Sequence, residues 1–231
     1  MIGDVHGCNK ALIGLLEAVQ PARDDTLVFL GDYVDRGPDS KGVLDTLIGL
    51  KEQCNVVCLL GNHEIMFRGA LQGLDPTLWL QIGGRPTLTS YGGQLDLVPR
   101  EHRDFLANLR PYFETEKQLF VHANYDAALP LESQPEELLY WEHLGNRVPQ
   151  PHFSGKHVFL GHTPQPYGRI GEFEYFTCMD TGCFAGYWLS AMEVNTGEVW
   201  QVSRQGHIRE EWRVVRRMYR FFFRSGRIGK E

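Results

Sequence analysis

Six residues able to bind a hard or borderline metal ion stand in short polar clusters along the chain: Asp4, His6, Asp32, Asn62, His122 and His162. Four of them close short apolar runs. Residues 26–30 lead into Gly31-Asp32, 56–60 into Gly61-Asn62-His63, 119–121 into His122, and 157–160 into Gly161-His162. The set offers oxygen and imidazole nitrogen and no thiolate, which suits manganese, iron or zinc and not calcium or an iron–sulfur cluster. Six donors exceed what one catalytic ion with an open position requires. They fit two ions about 3.5–4 Å apart that share a bridging carboxylate. A single aspartate after a strand is ordinarily a turn former or a helix cap. Six metal-competent residues ending five successive segments are a different matter.

Two neighbouring motifs extend the chemistry. Asp35-Arg36-Gly37 follows Asp32 by one turn, and His63 follows Asn62 directly. A bound metal pair brings the pKa of a bridging water toward neutrality and so generates a hydroxide nucleophile. Arg36 offers a planar fork for two phosphoryl oxygens. His63, held as imidazolium by Asp35, could protonate a departing alkoxide. Enhancements for phosphate-monoester hydrolysis reach about 10²¹, whereas one hydrogen-bond donor supplies about 10²–10³. The ions are therefore expected to carry most of the rate and Arg36 a smaller share.

The apolar runs that precede the clusters read as strands buried on both faces, given their β-branched and aromatic content. Between the early ones the spacing predicts helices. Asn9 caps one, with Leu12, Leu15, Leu16 and Val19 on one face; Ser40 opens another, with Val43, Leu44, Leu47 and Ile48. Alternating strands and helices imply an α/β domain whose ligands gather beyond the carboxyl ends of the strands, where the polar clusters lie. The later third changes character: 172–176, 187–194 and 198–202 read as antiparallel strands, the last two joined by Asn195-Thr196-Gly197. Further helices are expected over 100–110 and, after Pro135, over 136–144.

Composition narrows the class. The chain has 231 residues, 42% hydrophobic and 23% charged, without an apolar run of the roughly 18 residues a membrane span needs. A disordered chain and an integral membrane protein are excluded. The five cysteines are odd in number and lack C-x-x-C spacing; with no secretory leader at the start, they point to a reduced, cytoplasmic protein. Charge is unevenly placed. Residues 1–203 carry a net −12 and residues 204–231 a net +6, so the expected organisation is a catalytic domain over 1–203 and a basic aromatic tail over 204–231.

The motifs together resemble the signature of the phosphoprotein phosphatase family of dimetal phosphoesterases. They are Gly3-Asp4-Val5-His6-Gly7, residues 31–37 reading Gly-Asp-Tyr-Val-Asp-Arg-Gly, Gly61-Asn62-His63-Glu64, His122 in Val-His-Ala, and Gly161-His162-Thr163. Residues 79–92, from Trp79 to Gly92, and Asp180-Thr181-Gly182 resemble its bacterial and lambda-phage-type branch. The resemblance implies a central β-sandwich flanked by helices in a single domain, the calcineurin-like metallophosphoesterase fold. It also implies serine/threonine phosphatase activity supported by two divalent ions, manganese in the first place and iron or zinc as alternatives. By that likeness Asp4, His6 and Asp32 hold the first ion, and Asp32, Asn62, His122 and His162 the second. Arg36 and Asn62 contact phosphate, and His63 with Asp35 is the general acid pair.

Two departures from the family pattern carry expectations of their own. Only Met1-Ile2 precede Gly3, where relatives have a full hydrophobic strand. An upstream natural start is expected, the alternative being a weakened first metal site. Phage-type relatives also carry a second phosphate-binding arginine in Trp-Asn-Arg, where this chain reads Trp141-Glu142-His143. His143 can donate one hydrogen bond but no bidentate fork, and Arg147 is the possible substitute. Weaker phosphate binding than a two-arginine site gives is expected.

From Glu210 the tail places Arg213, Arg216, Arg217, Arg220 and Arg224 on one side of a helix, with Trp212, Val215, Met218, Tyr219 and Phe222 on the other. Self-docking on the acidic body is the first expectation. Docking on a partner or peripherally on a membrane surface comes second, and no nucleic acid is expected. The functional expectation is hydrolysis of phosphoserine and phosphothreonine in proteins, or of a small phosphomonoester, with a metal-bridging hydroxide as nucleophile and His63 as general acid. The rival enzyme is a dinucleoside-polyphosphate hydrolase; those relatives usually carry Gln and Asp where this chain has His6 and Glu64. A non-catalytic binding module is the remaining alternative.

Overall fold

The computed structural model describes residues 1–209 of the chain. Its strands are β1 (Thr26–Phe29), β2 (Asn55–Cys58), β3 (Tyr112–Glu114), β4 (Gln118–Val121), β5 (His157–Leu160), β6 (Gly171–Glu172), β7 (Phe176–Cys178), β8 (Trp188–Met192) and β9 (Val199–Ser203). The helices that matter here are α1 (Asn9–Val19), α2 (Ser40–Leu50), α3 (Asn62–Leu71), α4 (Thr77–Trp79), α5 (Arg85–Ser90), α6 (Arg100–Ala107) and α7 (Glu136–Tyr140).

Two sheets form. In the first, β1 pairs parallel with β2, and β8 pairs antiparallel with β9. Ile2 joins the two pairs by bridging Phe29 on one side and Ala191 on the other. Its N–H donates to Val28 O at 2.8 Å, its carbonyl accepts from Leu30 N at 3.0 Å, and Gly3 N–H donates to Ser190 O at 3.1 Å. The central position in front of Gly3 is thus held by very few residues, and Asp4 is anchored from both sides. The second sheet has the order β3-β4-β5-β7-β6, parallel in the middle and antiparallel at both edges.

Alternation along the strands sorts their side chains into three layers. Val28, Leu30, Val57 and Leu59 of the first sheet meet Phe120 and Phe159 of the second, together with Met1, Met179 and Met192. Leu27, Phe29 and Cys58 face the other way, onto α1, α2, α3 and α6. Leu119, Val121, Val158 and Leu160 pack on the far side under Tyr125, Leu139 and Tyr140. This is the expected β-sandwich flanked by helices, and covering both faces of each sheet explains the unbroken apolar runs.

Local differences have local causes. Asn9 lies inside α1 and does not cap it; its amide donates to Asp39 Oδ2 at 3.0 Å. Asp39, not Ser40, caps α2, accepting from Gly42 N at 2.8 Å. The strand expected over 172–176 is instead split by a turn at 173–175, with Glu172 ending β6 and Phe176 opening β7, closed by Phe173 N donating to Phe176 O at 2.9 Å. α6 stops short of Arg110 because that residue's backbone pairs with Cys58 O and Leu60 N at the end of β2. α7 stops at Tyr140, where Trp141 leaves helical backbone. Residues 204–209 turn back onto β9, with Ile208 bridging Val202, so the packed body continues past 203. The helix expected from Glu210 onward, with Trp212 to Arg224 on its two faces, lies outside the described residues.

Candidate active site

The loops after Ile2, β1, β2, β4 and β5 open at one end of the sandwich and carry the clusters seen in the sequence. Their backbone is unusual. His6 (φ 45°), Asp32 (54°), Asp35 (71°), Arg36 (65°) and His162 (62°) all adopt left-handed conformations that non-glycine residues avoid. Gly31, at φ 107°, is required for a further reason: a Cβ there would lie 2.6 Å from His122 Nδ1.

Glu64, in the first turn of α3, holds the central loop. Its carboxylate accepts from the backbone N–H groups of Asp32 (2.9 Å), Tyr33 (2.7 Å), Val34 (3.1 Å) and Gly61 (3.2 Å). Burial and the charge of Asp32 push its pKa up to about 8, against these four donors. The Asn-His-Glu spacing contained this residue, but sequence reasoning treated it only as a mark of the branch.

Asp32 lies at the centre of two groups of donor atoms, each within 4.8 Å of one another: His6, Asp32 and His63, and Asp32, His122 and His162. The shared Asp32 is what a bridging carboxylate requires. Tautomers favour a cation here. His6 Nδ1 faces Val34 O at 3.0 Å, His122 Nδ1 faces Leu30 O at 2.7 Å, and His162 Nε2 faces Trp141 O at 3.2 Å. A backbone carbonyl can only accept, so each ring spends its proton there and turns its other nitrogen inward as a lone pair. Burial first of all keeps the His6, His122 and His162 pKa values below the ordinary imidazole value, that of His162 down to about 3.

Asn62 Oδ1 meets two of these lone pairs, His122 Nε2 at 3.1 Å and His162 Nδ1 at 3.2 Å. Acceptor against acceptor is satisfied by a rotated amide, which would donate to both and to Asp32, or by a cation among the four residues. At His6 the positive charge is supplied by Arg36, whose Nη1 lies 3.2 Å from Nε2. The donor set fits divalent ions. Burial opposes ionisation of Asp32, yet its carboxyl is held well below the usual range, and His63, whose own pKa is raised, is the ring able to supply positive charge beside it.

Beside this centre, His63 Nδ1 and Asp35 Oδ2 are 2.7 Å apart, both buried, while His63 Nε2 is buried with no hydrogen-bond partner among the described residues. Burial works against protonation of His63, but the charges of Asp32 and Asp35 outweigh it and raise its pKa. Asp35 is fixed in turn. Trp79 Nε1–H donates to it at 2.9 Å, and Thr87 Oγ1–H at 2.7 Å. Its backbone N–H donates to Thr87 Oγ1 (2.8 Å) and Ser40 Oγ (3.1 Å). Gly84 lets the indole approach, since a Cβ there would sit 2.3 Å from it, and Gly83 O accepts from Arg36 N at 2.9 Å.

The remaining candidates divide. The Arg36 guanidinium lies 4.5 Å from the centre of the Phe184 ring, and the His143 ring is 4.3 Å from that of His162, at the site's edge. Arg147 is turned to Asp126 Oδ2 at 3.2 Å. Asp4 is buried; both its oxygens lie near His162 N–H, at 3.2 and 3.0 Å, and the tight three-residue group around His6 contains His63 in its place. Burial, then Asp180 and Asp32, raises the Asp4 pKa well above the carboxylate range.

The calcineurin-like phosphoesterase family matches residues 1–187. The chain belongs to that family. This phosphoesterase is 30% identical over 197 residues to serine/threonine-protein phosphatase 1 of Salmonella typhimurium, across 80% of this chain and 87% of the relative. It is 34% identical over 139 residues to a symmetrical bis(5'-nucleosyl)-tetraphosphatase of Burkholderia thailandensis, across 58% of this chain and 46% of that one, so it spans less than half of that relative's length. A crystal structure provisionally named a diadenosine tetraphosphatase superposes with a TM-score of 0.65 at 25% identity, covering 87% of this chain and 90% of the other. The protein is therefore a hydrolase of phosphoesters with buried His and Asp groups able to hold metal. No described helix is long and apolar enough to cross a membrane.

Trp79, Thr87 and Ser40 escaped sequence reasoning as members of the site. The likeness of residues 79–92 to one branch of the family marked Trp79 and Thr87 without a role, and Ser40 was marked only as the start of a helix. His102, His152 and His157 sit in structural hydrogen bonds, and the five cysteines are free and buried.

Proposed function

We propose that the phosphoesterase is a protein phosphatase acting on phosphoserine and phosphothreonine, with Asp4, His6, Asp32, Asn62, His122 and His162 holding two divalent ions, manganese first. The observation that carries the catalytic reading is His63. Its Nδ1 is tied to Asp35 and its Nε2 is buried without a partner among the described residues, beside the Asp32 donor groups. When bound, the ions would supply Lewis acidity at the phosphoryl oxygens and an acidified water.

The chain's own side chains do the rest. Arg36, set by the Gly83 carbonyl and flanked by Phe184, directs its fork at two phosphoryl oxygens. His143 adds a single donor beside His162. His63 gives its Nε2 proton to the departing serine or threonine oxygen while Asp35 keeps Nδ1–H in place. Trp79 and Thr87 leave the Asp35 carboxylate little freedom to turn.

The Salmonella relative supports protein substrates because the likeness runs along most of both chains. A dinucleoside-polyphosphate hydrolase is the second reading, favoured by the Burkholderia relative and by the 25%-identical structure. A comparison of phosphate release from a phosphoserine peptide and from diadenosine tetraphosphate, each with manganese, separates them. The peptide is expected to show the larger kcat/KM, with Asp32→Asn abolishing its hydrolysis. Faster turnover of the dinucleotide overturns the first reading.

A further inference from the structure

Asp180 takes no part in the chemistry described so far, although Asp180-Thr181-Gly182 was among the motifs singled out in the sequence. Its position is close-packed. Met179, just before it, donates its N–H to Leu160 O at 2.7 Å, and a Cβ on Gly3 would lie 2.3 Å from Met179 O. The start of the Asp180 turn is thus wedged between the loop that carries Asp4 and the one that carries His162. Asp180 Oδ1 accepts from Gly182 N at 2.9 Å, which shapes the turn. Its other oxygen, Oδ2, is buried and has no hydrogen-bond partner among the described residues; the residue is 1% exposed. An acceptor left this way forfeits its hydration without return.

The surroundings make the orphan oxygen more unusual. Among charged groups, Asp180 acts on Asp4 more strongly than Asp32 does, and Arg36 is the cation that acts on both Asp4 and Asp180. Asp4, Asp32 and Asp180 are three carboxyl groups with almost no exposure, and the charge of Asp32 reaches both of the others. Carboxyl groups held together away from water either keep a proton or take a compensating cation.

We propose that Asp180 is a positioning residue of the cation site at Asp4, His6 and Asp32, its free Oδ2 facing the divalent ion held there. The inference rests on the metal-dependent reading of the site. It assigns the Asp-Thr-Gly turn a purpose: Oδ1 fixes the loop and Oδ2 adds a charge to the ion's surroundings.

Calorimetric titration of manganese into the metal-free full-length protein tests this, with Asp180→Asn as the variant. Asparagine keeps an oxygen for Gly182 N and removes the charge. One of two manganese affinities should weaken by about tenfold or more, the size of effect that outer partners of metal ligands have, while the other stays at the wild-type value. Without metal the variant should unfold at a temperature no lower than that of wild type, because asparagine keeps the bond to Gly182 N, and added manganese should raise that temperature by less. Asp180→Ser, which also retains a small acceptor, should show the same pattern if asparagine packs poorly. Two wild-type affinities in both variants, or a lower metal-free unfolding temperature with unchanged affinities, would show a purely structural aspartate. If wild type itself takes up no manganese, the metal-dependent reading fails and this inference falls with it.

Discussion

A histidine that protonates a leaving group must be charged when substrate arrives, and its acidic nitrogen must be free. His63 is placed for both demands: the Asp35 carboxylate, 2.7 Å from Nδ1, favours the charged ring, and Nε2 has no partner among the described residues. General acids contribute about 10²–10⁴ in rate, and more to a poor leaving group than to a good one. His63→Asn should therefore lower kcat for phenyl phosphate by about 10²–10³ and barely affect p-nitrophenyl phosphate; equal losses on the two would show that His63 does not act as the acid. The pH dependence follows from the direction of its shift. With its pKa raised, His63 is a competent acid below that pKa and loses the proton as pH rises through it, so kcat declines on the alkaline side. Asp35→Asn removes one of the charges that raise it, and the alkaline limb of the kcat profile should move to lower pH. An unmoved limb would assign the ionisation to another group.

At the scale of elements, α3 does more than contribute Asn62 and His63. Through Glu64 its first turn gathers four backbone N–H groups and so sets the loop that carries Asp32. Glu64→Gln leaves one acceptor oxygen and turns an NH₂ toward donors. The cost should be about 1–3 kcal/mol in a urea titration, with loss of manganese affinity as well; a neutral substitution would mean that the loop holds itself. The segment from α4 to α5 has a similar task, since Trp79 and Thr87 fix Asp35 from 44 and 52 residues away. That separation is why sequence reading missed them: a tryptophan and a threonine carry no chemistry until the fold brings them to a carboxylate. The metal-competent residues were legible for the opposite reason. They sit at or just beyond the ends of strands and of the Ile2 bridge, where an α/β domain presents its ligands, and glycine stands beside all of them but His122. Boundaries were less legible where tertiary contacts decided them. Arg110 left its helix for the edge of β2, and the 172–176 run was split by a turn because Phe173 and Phe176 close on each other.

At the scale of the molecule, the donor set belongs to both halves of the sandwich. Asp32 and Asn62 follow strands of the first sheet, His122 and His162 follow strands of the second, and Asp4 extends from the Ile2 bridge. Ions bound among them would tie the sheets together at one end and would bind only the folded chain. At a hundredfold excess over Kd one such ion stabilises by about 2.7 kcal/mol, or roughly 5–10 °C in Tm for a chain of this size. Manganese added to chelator-treated protein should produce that rise in a thermal melt, and Asp32→Asn should abolish most of it. An unchanged Tm would place the ions elsewhere.

The five left-handed residues in these loops have a consequence for how the protein fails. Each is held out of its preferred backbone region at a cost of about 1–3 kcal/mol, and the packing that imposes it is local. Mild denaturant therefore meets a molecule with uneven resilience: sandwich strands buried on both faces, and rims that relax as soon as their supports loosen. Activity should disappear at lower urea than the far-ultraviolet circular dichroism signal, and the loss should reverse quickly on dilution, because only loops must return. Coincident loss of both signals would mean that the rims are as durable as the sheets. In this picture the phosphatase ages from its mouth inward.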